Sequence, residues 1–205
     1  MKAMYLSMLL AICAITAKAQ ESESFLNIGD PAPSFEVMLS DSSFFKTDSV
    51  LQSGRSIVLI FYRGTWCPYC NRYLSELAEE QEAIEKAGGI MLAVSPETTA
   101  YQESMKESTE AGFHFAHDAD YFIMSSYAVA FEAPDKLIKK QMKKGNDLLA
   151  SHGTEDEFVL LPVPATVVIA PNNEIVYFHY DTNYKERAEV SDILHALEIA
   201  SSLEQ

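Results

Sequence analysis

Cys67 and Cys70, three positions apart, are the residues whose types and spacing most directly suggest chemistry in this 205-residue chain. They lie in Trp66-Cys67-Pro68-Tyr69-Cys70, after the run Ile57-Val58-Leu59-Ile60-Phe61-Tyr62 and before Leu74, Leu77, Gln81 and Ile84. An unbroken run of β-branched, aliphatic and aromatic residues predicts a strand buried on both faces. Arg63, Gly64 and Thr65 interrupt it, and the apolar spacing beyond Cys70 is helical. With Cys67 as N-cap, Pro68 takes the first helical position, where its missing N–H costs nothing. Cys70 then follows one turn on, on the same face and within disulfide reach. Unpaired N–H groups and the positive end of the helix dipole favour a thiolate there, and Arg63 adds a cation. A pair so placed trades electrons: one thiolate attacks a disulfide and its neighbour resolves the mixed disulfide.

Composition narrows what such a dithiol serves. At 48% hydrophobic, the chain has enough apolar surface for one domain. A net charge of −15 argues against nucleic acid and anionic membranes as partners. Lys2, an apolar stretch from Met4 to Ile15 and Ala17-Lys18-Ala19 give residues 1–19 the form of a signal peptide, cut before Gln20. The stretch is too short to span a membrane, and Ile12 is bulky for a lipoprotein anchor at Cys13. Cleavage removes two lysines and no acid, leaving the mature chain, 20–205, at −17. It also removes Cys13, so an exported protein keeps only Cys67 and Cys70 and is not stapled by disulfides. A zinc site needs two more ligands; there is no second CxxC, and His114 and His117 read more simply as strand residues.

The remaining elements must hold this pair in place. Ser34–Leu39 and Phe44–Lys46 read as short strands, and Thr47–Gln52 as one helical turn. Ile90–Val94 reads as a second buried strand, Ser95-Pro96-Glu97 as a helix start, and 114–116 as a third strand. Asp118 and Asp120 are placed to cap a helix over 121–129. This alternation predicts a parallel sheet covered on both faces. Residues 134–153 break the rhythm: 135–150 forms an amphipathic helix with a lysine-rich face, an insertion that covers or borders the site. Val167–Ala170 and Ile175–Tyr180 form a hairpin around Pro171-Asn172-Asn173, and 185–201 a terminal helix.

Strand, CxxC, helix, then Val163-Pro164-Ala165-Thr166 before a hairpin and a last helix resembles the thioredoxin fold. That is an α/β class with a mixed central sheet and helices on both faces, here with an N-terminal strand extension. The resemblance puts Pro164 where that superfamily carries a cis-proline facing the dithiol. Within it, the chain is similar to the peroxiredoxin-like alkyl hydroperoxide reductase/thiol-specific antioxidant family. Gly29-Asp30-Pro31-Ala32-Pro33-Ser34-Phe35, Phe61-Tyr62, Ser95-Pro96-Glu97 and 118–129 carry that likeness. Laid on the family pattern, the peroxidatic cysteine falls on Cys70, and its partner threonine, proline and arginine fall on Cys67, Arg63 and Pro164. A second thiol and a thioredoxin-type proline thus replace the peroxide-polarising groups.

The expectation is therefore an exported thiol–disulfide oxidoreductase with no cofactor beyond a redox-active Cys67–Cys70 disulfide. Cys67, the more exposed thiol, attacks; Cys70 resolves; Arg63 favours the thiolate. Val163 and Pro164 position the substrate chain, and Trp66 shapes the surface beside Cys67. The strand 56–62 holds no acid for proton relay, leaving His179 or Tyr62 as weak substitutes. The alternative is a thiol-dependent peroxidase in which Cys70 forms a sulfenic acid and Cys67 condenses with it. A redox-inert binding module docking through 135–150 is the third reading. Partners follow: a protein disulfide or dithiol, a thioredoxin-like electron donor, or peroxide, with no membrane span.

Overall fold

The computed structural model describes residues 26–154 and 158–203. The expected signal segment 1–19 lies outside the described residues. In chain order the elements are β1 (Glu36–Met38), β2 (Phe44–Lys46), α1 (Thr47–Gln52), β3 (Ser56–Phe61), α2 (Pro68–Glu79) and α3 (Gln81–Lys86). Next come β4 (Gly89–Ser95), α4 (Thr99–Thr109), β5 (His114–His117), α5 (Phe122–Ser126) and β6 (Ala130–Glu132). The chain continues with α6 (Asp135–Met142), α7 (Leu148–His152), β7 (Leu160–Pro162), β8 (Ala165–Ile169), β9 (Ile175–Tyr180) and α8 (Val190–Ser202).

The central sheet has the order β5-β4-β3-β8-β9. β3, β4 and β5 run parallel, while β8 and β9 join antiparallel. All six residues of β3 are buried, as its uninterrupted apolar run requires of a central strand. Its side chains alternate between the two faces. Val58, Ile60 and Tyr62 enter the core under α2, α3, α4 and α8; Ile57, Leu59 and Phe61 enter the one under α1 and α5. This is the mixed sheet covered on both faces that the thioredoxin-like pattern implied, and β1–β2 form the expected N-terminal extension.

Three expectations need correction. The helix over 135–150 is two helices, broken where Gly145 takes a positive φ of 86° and Asn146 turns back on Gln141. The unforeseen pairing of β6 with β7 clamps the base of this insertion. The terminal helix starts at Val190 rather than 185. Upstream of it, Asn183 N–H donates to the Asp181 carboxylate, and Arg187 Nη1 donates to the carbonyls of Tyr184 (2.5 Å) and Glu186 (2.6 Å). Those carbonyls serve a side chain instead of a helix ladder, so 181–189 crosses the surface as an irregular strap. Finally, no peptide among the described residues is cis, so Pro164 follows a trans bond. Pairing of β7 through Pro162 and the bond from Val163 N–H to the Val129 carbonyl (2.8 Å) carry the chain extended from β7 into β8.

Candidate functional site

Cys67 is the N-cap of α2 and Pro68 its first residue, as the sequence implied. The amide N–H groups of Cys70 and Asn71 both donate to the Cys67 carbonyl. Asn71 Nδ2 donates to the carbonyls of Thr65 (2.9 Å) and Cys67 (2.8 Å), folding the 63–67 loop over the helix start. Both cysteines are free thiols, and the Cys70 thiol donates to Cys67 Sγ at 2.7 Å.

The expected exposure of Cys67 is not found: Cys67 is 0% and Cys70 1% exposed. Both sulfurs belong to the core under α2 rather than to the surface. The pair is electrically asymmetric. The Cys70 thiol bond, against the cost of burial and together with the Arg63 charge, lowers the Cys67 thiol to about 6. Burial, the bond to Cys67 and its negative charge push Cys70 well up, opposed by Arg187. Cys67 is thus the thiolate and Cys70 the neutral partner.

Each sulfur has its own guanidinium. Arg63 Nη2 lies 3.8 Å from Cys67 Sγ, and Arg187 Nη2 lies 3.6 Å from Cys70 Sγ. The Arg63 guanidinium makes cation–π contacts with two rings, Trp66 at 5.1 Å from its Cζ and Tyr184 at 4.3 Å. Trp66 in turn packs on Ala133, Leu148, Val159 and Leu161, so Leu148 of the 134–153 segment and the chain flanking that segment lie against Trp66.

β3 holds no acid, but one lies just past the end of the neighbouring strand β4. Glu97, 0% exposed, follows the carboxyl end of β4 and accepts from Thr65 N–H (2.7 Å) and Thr65 Oγ1 (3.0 Å). Its loop is held by Ser95 Oγ, Gln102 Nε2 and the bond from Thr98 N–H to the Ser151 carbonyl. Gly64 makes the approach feasible: at its φ of 144°, an added Cβ would stand 2.6 Å from Glu97 Oε1 and 2.7 Å from Trp66 Nε1. Burial raises Glu97 to about 7, the two Thr65 bonds oppose the rise, and the Cys67 charge adds to it. Burial and then the Glu97 charge likewise push the Tyr62 phenol far up, with the Ser95 hydroxyl beside it opposing the rise.

The structure therefore gathers Cys67, Cys70, Arg63 and Trp66 at one point. Pro164 is buried beside the carboxyl end of β3, since Ala165 pairs with Phe61, while the N–H of Val163 is spent on Val129. His179 lies on β9 opposite Thr166. His117 lies against the backbone of His152 and Pro96, and the described residues hold no group of three or more His, Cys, Asp or Glu fit for a metal. Sequence reasoning missed Glu97, Tyr184 and Arg187. Glu97 had a signal, because adjacent parallel strands offer their carboxyl ends to one crevice. Tyr184 and Arg187 had only the turn-forming run Asp181-Thr182-Asn183, which marks a loop without saying where it lands.

Comparison with known proteins places this geometry. A Coxiella burnetii protein named as a peroxiredoxin of the bcp type is 22% identical over 104 residues, 51% of this chain and 68% of its own. Peroxidoxin BcpB of Mycobacterium tuberculosis matches in structure with a TM-score of 0.64 at 15% identity, over 84% of this chain and 96% of its own. Peroxiredoxin Q of Xanthomonas campestris matches with a TM-score of 0.61 at 17% identity, over 82% of this chain and 91% of its own. At those identities the structural likeness establishes the thioredoxin-like peroxiredoxin fold. Residues 28–178, which run from the N-terminal extension through the dithiol loop to β9, match the family model described as AhpC/TSA, and the chain belongs to that family of oxidoreductases.

Proposed function

We propose that the protein is a thiol-dependent peroxidase that reduces small hydroperoxides at Cys67 and resolves through Cys70. One observation carries this reading: a thiolate and a neutral thiol 2.7 Å apart, both closed to solvent, each beside a guanidinium. A buried thiolate reaches a two-oxygen substrate far more easily than a protein disulfide.

The thiolate of Cys67 attacks one peroxide oxygen and the O–O bond breaks. The departing alkoxide takes a proton and leaves as alcohol, or as water from hydrogen peroxide. Glu97, which holds its proton to about pH 7 next to the loop of the attacking sulfur, is the donor. Arg63 offsets the charge that develops on the leaving oxygen. Cys67 is then a neutral sulfenic acid. Its charge no longer opposes ionisation of Cys70, whereas Arg187 still favours it. Cys70 loses its proton and attacks the sulfenic sulfur; hydroxide leaves, is protonated to water, and the Cys67–Cys70 disulfide forms. Two electrons have passed from the dithiol to the peroxide, and a thioredoxin-like dithiol donor restores the pair. This assigns attack to Cys67, the reverse of the order taken from the family pattern. Export rests on residues 1–19 of the sequence alone.

Stopped-flow oxidation by hydrogen peroxide tests it. The wild type is expected to end as a disulfide. Cys70→Ser is expected to stop at a sulfenic acid that dimedone traps on Cys67. Reaction no faster than a free thiol of the same pKa overturns the proposal, as does dimedone trapped on Cys70 in Cys67→Ser with full peroxide reactivity.

Thiol–disulfide exchange is the second reading, favoured by the CxxC capping a helix N-terminus. It requires the strap 181–189 to lift from the sulfurs before a protein disulfide can reach them.

A further inference from the structure

We infer that the strap 181–189, through Tyr184 and Arg187, is the specificity determinant of the dithiol: it admits small oxidants and excludes bulky ones. The inference rests on the peroxidase reading above, whose substrate class it narrows.

The strap has one buried anchor, Ala188, which joins the core under α2 at 4% exposure. Ahead of it the chain lies on the dithiol loop through side chains alone. The Tyr184 ring stacks on the Arg63 guanidinium, 4.3 Å from its Cζ, and that guanidinium itself reaches Cys67 Sγ at 3.8 Å. The same ring meets Tyr69 edge-on at 5.6 Å, and Lys185 Nζ stands 5.9 Å from the Tyr69 ring. Arg187 reaches inward past Tyr73, at 5.8 Å, to Cys70 Sγ. Tyr69 is one of the two residues between the cysteines, so the strap touches Arg63, Cys70 and the CxxC turn.

These contacts lie beside a thiol that is fully buried although it stands at a helix N-cap, ordinarily a surface position. They also make a cover that opens. Tyr184 is 39% exposed, and its neighbours 182–186 are exposed as well, so lifting them uncovers little apolar surface. A reagent no larger than a peroxide needs a gap beside the Tyr184 ring. A reagent carrying a wide group needs the whole segment displaced.

Alkylation with paired reagents tests this. The reduced full chain is treated with iodoacetamide and, separately, with a fluorescein-linked iodoacetamide. The two carry the same reacting group, so their rate ratio cancels any change in thiol nucleophilicity. The folded protein is expected to favour the small reagent far more than the urea-unfolded chain does. Removing one cation–π contact and one edge-on aromatic contact in Tyr184→Ala is expected to cut that preference about tenfold. Tyr184→Phe, which keeps both ring contacts, is expected to retain it. The same Tyr184→Ala change is expected to raise kcat/KM for cumene hydroperoxide relative to hydrogen peroxide. A folded wild type with the size preference of the unfolded chain overturns the inference, and so does a Tyr184→Ala preference within twofold of wild type. The wild-type arm needs no variant to fold. Failure to react with hydrogen peroxide would instead overturn the peroxidase reading, leaving the alkylation ratio to decide on the strap.

Discussion

Replacing Arg63 with methionine removes the guanidinium beside the Cys67 sulfur while keeping a stem to pack near Trp66 and Tyr184. Arg63 Nη2 stands 3.8 Å from Cys67 Sγ. Two unit charges at about 4 Å interact by about 4 kcal/mol at an effective dielectric near 20, equivalent to roughly 3 pKa units. That is an upper bound, because the Cys70 thiol bond is the largest cause of the depression to about 6, and Arg63 acts second among the groups that lower it. The share assignable to Arg63 is then about 1 to 2 units. At the middle of that range, the thiolate fraction near pH 7 falls from about nine-tenths to about a quarter. Peroxide reactivity near neutrality falls about fourfold from ionisation alone and recovers as the pH is raised toward about 9. The measurement is a titration of the thiolate ultraviolet absorbance in Cys70→Ser and in Cys70→Ser, Arg63→Met; with serine at position 70 in both, only Cys67 of the pair titrates and the difference isolates the guanidinium. A midpoint displaced by less than about half a unit would refute the electrostatic account and leave Arg63 a packing residue.

Glu97 holds its proton more tightly folded than unfolded, so its ionisation costs stability as the pH rises from 4.5 to about 7. The 2.5-unit rise corresponds to a loss of about 3 kcal/mol across that window, and Glu97→Gln is expected to abolish it. Urea denaturation at both ends of the window measures this, and parallel profiles for the two proteins would contradict it. Gly64→Ala introduces a Cβ 2.6 Å from Glu97 Oε1 at a φ of 144°, and is expected to cost about 2 to 3 kcal/mol. An unchanged urea midpoint for that variant would mean that Gly64 is not what lets the carboxyl approach the loop.

The sheet was legible because its signal is local. Six apolar residues without a break make a strand buried on both faces, and β3 is buried throughout. Phe44–Lys46 and Thr47–Gln52 fall where the sequence put them, and Asp118 caps α5 through the N–H groups of Ile123 and Met124. The errors fell where a side chain competes with the backbone. Arg187 takes carbonyls that a helix over 185–189 would have used, and Gly145 breaks a helix whose apolar pattern continues past it. Pro164 went the other way: β6–β7 pairing, invisible in either segment alone, keeps the chain extended through it.

The sequence by itself determined that two thiols would meet at a helix start with an arginine close by, since N-cap, proline and CxxC lie within four consecutive residues. It also carried the family, through motifs between Gly29 and Val129 that lie within the matched residues 28–178. Only the tertiary structure decided which sulfur is the more acidic, which carboxyl lies against the loop beside it and whether either sulfur meets solvent. Those answers depend on Arg187, 117 residues from the Cys70 it touches, on Glu97, which bonds to Thr65, and on Tyr184, which lies against Arg63. Desolvation and charge at a sulfur are sums over neighbours in space, and chain order does not record who those neighbours are.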